Sequence, residues 1–122
     1  MADKHTFRDL IVWRKAVELS KLIYQVTQAM PESERFSLTS QMRRATVSIA
    51  SNIAEGNARQ TTRDFLNYLA MARGSLAELE TQLVIAHELK MLASIELALE
   101  RIREVRRLLQ ALIESLRRKL QT

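Results

Sequence analysis

Across 122 residues only three positions carry a residue that readily breaks regular backbone: Pro31, Gly56 and Gly74. A sandwich or barrel needs a turn roughly every 8–12 residues, so a chain this poor in breakers is committed to long helices. The same scarcity excludes a disordered linker, and 47% hydrophobic residues are enough for one core. With no cysteine, a disulfide frame, a thiolate zinc site and a cysteine nucleophile are all excluded. No apolar run approaches a bilayer span and the opening residues form no apolar signal segment. A cytoplasmic protein with no membrane partner is expected.

Helix punctuation divides the chain into four, at about residues 7–30, 38–55, 62–89 and 95–120, in a single domain over 1–122. Thr6 with Asp9, and Thr61 with Asp64, have the spacing of capping boxes. Pro31 closes the first helix, and Gly56 stands where a left-handed residue closes the second. Ser94 is placed to cap the fourth, with Glu96 near its positive end. Apolar residues recur at steps of three and four in each segment, as in Leu38, Met42, Ala45, Ile49 and Ile53. Short connections between such helices make them antiparallel neighbours. The expected fold is all-α, an up-down-up-down antiparallel four-helix bundle; three helices with an exchanged fourth is the alternative.

Catalytic chemistry finds little support. His5 and His87 are the only histidines, and neither has a metal-ligand companion at useful spacing. No Glu-x-x-His pair, glycine-rich phosphate loop or nucleophile elbow occurs. No catalytic residue, metal or cofactor is expected. Polar residues do interrupt the apolar stripes: Asn52 on the second helix, and Arg73, Glu80 and His87 on the third. Buried charge is costly unless paired, so a buried polar network of Gln41, Arg44, Asn52, Arg73 and Glu80 is expected. Counting across the hairpin between helices two and three puts Glu80 near Gln41 or Arg44. A ligand pocket is the other reading of these residues.

The formal net charge is +5, and residues 35–73 hold most of it, with six basic residues against Glu55 and Asp64. Arginine, the side chain suited to phosphate forks, supplies most of the positive charge. Arg43, Arg44, Arg59 and Arg63 are therefore the first candidates for contact with nucleic-acid phosphate. Arg44 is at risk of loss to Glu80, and Arg63 to Glu55 or Asp64, which leaves Arg43 and Arg59 open. Arg106, Arg117 and Lys119 on the fourth helix are a second candidate group. Few aromatic residues are available to stack bases, so recognition of single strands by stacking is not expected.

The run from Arg44 to Gly56, RATVSIASNIAEG, followed by Arg59, resembles the signature of the 23S ribosomal RNA intervening-sequence family of four-helix bundle proteins. The blocks FRDLIVWRKA at 7–16 and ARGSLAELETQL at 72–83 extend the similarity to roughly residues 7–116. Asn52, Arg73 and Glu80 are part of that family pattern, whereas Ala50 stands where the family often has proline, so a straighter second helix is expected. The resemblance implies a small bacterial bundle assembling as a homopentamer around a central channel, with no catalytic residues. It also implies distant similarity to the accessory protein of diversity-generating retroelements, which works with a reverse transcriptase and nucleic acid. Two functions follow: a sequence-tolerant nucleic-acid-binding accessory factor acting on RNA or DNA, or a structural scaffold without a nucleic-acid role.

Overall fold

In a computed structural model the described residues, 6–121, form four helices: α1 (Ile11–Thr27), α2 (Leu38–Asn57), α3 (Thr62–Glu88) and α4 (Glu96–Gln121). Single 3-10 turns at Phe7–Asp9 and Glu32–Glu34 precede α1 and α2, and no strand occurs among these residues. α2 packs on α1 and α3, and α4 closes the ring by packing on α3 and α1, the up-down arrangement of a four-helix bundle. Leu19 and Ile23 of α1, Ile49 and Ile53 of α2, Leu76 and Leu83 of α3, and Ile102 and Leu109 of α4 are fully buried at its centre.

Several helix ends differ from the sequence reading. Thr6 and Asp9 do form a capping box, but it caps the short 3-10 turn, because Leu10 is extended (φ −77°, ψ 125°) and α1 starts only at Ile11. At its other end α1 stops at Thr27, whose hydroxyl donates to the Ile23 carbonyl at 2.7 Å. Gly56 is not a left-handed cap. It lies within α2, buried, where a Cβ would stand 2.6 Å from Tyr68 Cβ and 3.2 Å from the Phe65 carbonyl. The residue that matters there is small because α2 and α3 approach closely, not because the backbone turns. The left-handed residue is instead Lys90 (φ 62°). Its N–H donates to the His87 carbonyl and that of Met91 to Ala86, a Schellman closure of α3. Ser94 lies one position outside the α4 cap, which falls at the buried Ile95. α2 runs unbroken through Ala50.

The third helix is rotated relative to the expected stripe. Its buried residues include Leu69, Ala72, Leu76, Leu79, Leu83 and Ala86, a seam with alternating steps of three and four. Arg73, Glu80 and His87 each follow a seam residue by one position, about 100° further round the helix, and so flank the core. Small hydroxyl residues are what the interior does contain. Thr46 and Ser75 are buried; Ser20 bonds Thr46 at 3.2 Å, and Ser48 bonds Ser75 at 2.9 Å. Asn52 completes this track by donating to the Ser48 carbonyl and hydroxyl, both at 2.9 Å.

Candidate nucleic-acid interface

The expected polar network does not assemble. Of its five members, Gln41, Arg44 and Arg73 are exposed, and only Asn52 and Glu80 are partly buried. Glu80 meets neither Gln41 nor Arg44; its carboxylate accepts from Arg106 of α4, and both side chains remain about two-fifths exposed. Arg73 likewise reaches across to α4 and donates to Gln110 at 3.3 Å. Counting across the α2–α3 hairpin missed these contacts because residues on the flank of α3 face α4.

The basic candidates also divide. Arg43 and Arg44 lie in the first third of α2, whereas Arg59 follows its C-terminus, on the order of 20 Å away at 1.5 Å per residue. Arg63 opens α3, and antiparallel packing brings the end of α4, with Arg117 and Lys119, to the same end of the bundle as Arg59 and Arg63. Arg106 stands apart at mid-helix, engaged by Glu80. The expected pairings are exchanged as well. Glu55 holds Arg59, at 3.4 Å, and the Arg59 guanidinium also lies 4.8 Å from the centre of the Tyr68 ring and bonds its hydroxyl. Arg63, Arg44 and Arg117 have no partner among the described residues.

Arg43 is placed differently from every other candidate. Its Nε donates to the Thr27 hydroxyl at 2.9 Å and Nη2 to the Tyr24 carbonyl at 3.3 Å. The guanidinium lies 4.6 Å from the centre of the Tyr24 ring. Uncharged groups therefore fix the side chain, and no carboxylate among the described residues neutralises it. Tyr24 is itself 43% exposed.

Arg44 stands on the crest of α2 between two grooves. On the α1 side a groove of about 510 Å³ is lined by Tyr24, Arg35, Phe36 and Arg43 together with Thr39 and Ser40. On the α3 side a groove of about 430 Å³ is lined by Gln41, Ser48, Glu78 and Gln82, and Phe36 and Ser40 border it as well. The first has three guanidiniums and no carboxylate in its lining; the second has one of each. Phe36, between helices and therefore invisible to any periodicity count, is 86% exposed. The single available signal was its position beside Arg35 just ahead of α2.

Among the described residues, no three His, Asp or Glu side chains come together in a geometry that could hold a metal ion. None of their helices is long and apolar enough to cross a membrane. His5 lies outside the described residues; His87 Nδ1 is 3.0 Å from the Leu92 carbonyl, in the turn after α3. No curated protein matches the chain significantly. The family model for the 23S rRNA-intervening sequence protein matches residues 8–111, from within the first turn to within α4. With that match over four helices packed in a ring, the chain belongs to the 23S rRNA-intervening sequence protein family.

Proposed function

We propose that this chain is a non-enzymatic, self-associating bundle that holds RNA or DNA through phosphate contacts with little regard to sequence. The observation that carries the reading is the uncompensated pair Arg43 and Arg44: one guanidinium fixed by neutral oxygens and an aromatic ring, the other without a partner among the described residues. A cation held in place without its own counter-ion attracts a polyanion at small ordering cost. Arg63, Arg117 and the end of α4 add positive charge at the far end of the bundle.

Self-association is supported by the outer face of α3. Met71, Val84, Ile85 and Leu89 are exposed there around Gly74 and Ala77. A Cβ at Gly74 would meet nothing within 4 Å, so the helix backbone is open to close approach by a second copy. Five copies, the number the family resemblance implies, would multiply a charge of +5 and let weak contacts act together.

The test is a titration of labelled single-stranded and duplex oligonucleotides with the wild-type protein at low and moderate salt, alongside light scattering. Salt-sensitive binding of unrelated sequences by an oligomer is the expected result. An oligomer that binds no nucleic acid at low salt would leave the scaffold reading, for which the exposed α3 face is the supporting feature.

A further inference from the structure

We propose that the α1–α2 groove is a site for an unpaired nucleotide, with the base stacked on Phe36 and the flanking phosphates on Arg43 and Arg44. The proposal rests on the nucleic-acid reading above and adds to it a chemical class, single-stranded rather than duplex RNA or DNA; the small number of aromatic residues argues against stacking, but one of them, Phe36, is 86% exposed beside the basic groove. A nucleotide joins an anionic phosphate to a flat π-face, and the groove offers the complement of both within a few residues. Three guanidiniums and two aromatic rings line it, and the lining contains no carboxylate. Two acids stand nearby but outside the lining. Glu34 accepts from the Leu38 N–H and the Ser37 hydroxyl at the start of α2, and Glu32 pairs with Arg35 at 3.5 Å in an exposed contact that a phosphate can displace.

Phe36 has no part in the core. At 86% exposure it is the most open large hydrophobic residue among the described residues, and it sits in the turn that leads into α2. Folding does not require a phenyl ring there, whereas stacking does. The Arg35 guanidinium lies 5.1 Å from the centre of the ring, so cation and π-surface are presented together, as in surfaces that track a single strand. Tyr24, with Arg43 against its ring, also lines the groove. Thr39 also lines the groove, but its unpartnered hydroxyl oxygen is closed off from solvent. A duplex keeps its base faces stacked inside, so only an unpaired base can use Phe36.

Fluorescence anisotropy with a labelled oligouridine or oligothymidine, and with a duplex of equal length, tests this on wild type, Phe36→Ala and Phe36→Trp. Phe36→Ala should weaken single-strand binding about tenfold while changing duplex binding less than about twofold. Phe36→Trp should retain single-strand affinity, and its added fluorescence should be quenched by the oligonucleotide. Thermal unfolding should be unchanged in both, since the ring is outside the core. Phe36→Ala that binds both forms like wild type overturns the stacking site and leaves the general phosphate reading standing. Wild-type protein that binds neither form at low salt overturns both.

Discussion

Two grooves share Arg44, and they differ in what the neighbouring helix brings. On one side α1 presents the Tyr24 ring, the Tyr24 carbonyl and the Thr27 hydroxyl, all neutral, and Arg43 rests on them with its charge intact. On the other side α3 presents Glu78 and Gln82, so the lining already contains an anion beside Arg44. A basic residue becomes available to a polyanion when its fixing contacts are neutral. Arg106 and Arg59 show the converse: each is equally arginine, and each is engaged by a carboxylate of its own chain, Glu80 and Glu55.

The comparison breaks most plainly by charge reversal. Arg43→Glu with Arg44→Glu should lower nucleic-acid affinity by roughly one to two orders of magnitude at low salt, measured by anisotropy. Glu78→Gln, in the other groove, should change it less than about threefold. Equal losses from the two grooves would remove the distinction between them.

The next effect concerns the seam that separates the α3-side groove from the far end of the bundle. Gly56→Ala should destabilise the fold by about 1–3 kcal/mol in denaturant unfolding, because its Cβ meets Tyr68 and the Phe65 backbone, which have no flexible end to move aside. Gly74→Ala meets nothing within its own chain, so it should leave the fold intact but weaken the contact between copies, giving a smaller particle in light scattering. A gain of about 1 kcal/mol through helix propensity with the particle size unchanged would place that glycine outside any contact between copies.

The smallest expected effect is at the α3–α4 flank. The coupling between Glu80→Gln and Arg106→Gln in a double-mutant cycle should stay below about 1 kcal/mol, as for other partly exposed ion pairs. Glu80→Gln combined with Arg44→Gln should be additive, since the two residues are not in contact. Strong coupling to Arg44 would restore the contact that counting across the hairpin suggests.

Four helices were legible because breakers are few and the apolar steps regular; Thr61 with Asp64 marks the start of α3 in sequence and structure alike. What escaped was rotation. Arg73, Glu80 and His87 have the seven-residue spacing of a seam, and only packing against α4 shows that Ala72, Leu79 and Ala86 take the core instead. Small residues carry little hydrophobic signal, so a seam that includes alanines reads one position out of register. Pairing of arginines escaped for a related reason: Glu80 has partners available on two neighbouring helices, and sequence separation favours the wrong one. Phe36 escaped because an aromatic residue between helices belongs to no periodic pattern, although at 86% exposure it lines both grooves beside Arg44.

The salt dependence of single-strand binding tests the central claim most directly. If Arg43 and Arg44 each neutralise a phosphate, replacing both by glutamine should make the slope of log K against log salt shallower by about 1.4, or 0.7 per contact. Wild-type and doubly substituted protein, both folded and of the same particle size, with the same slope would contradict it.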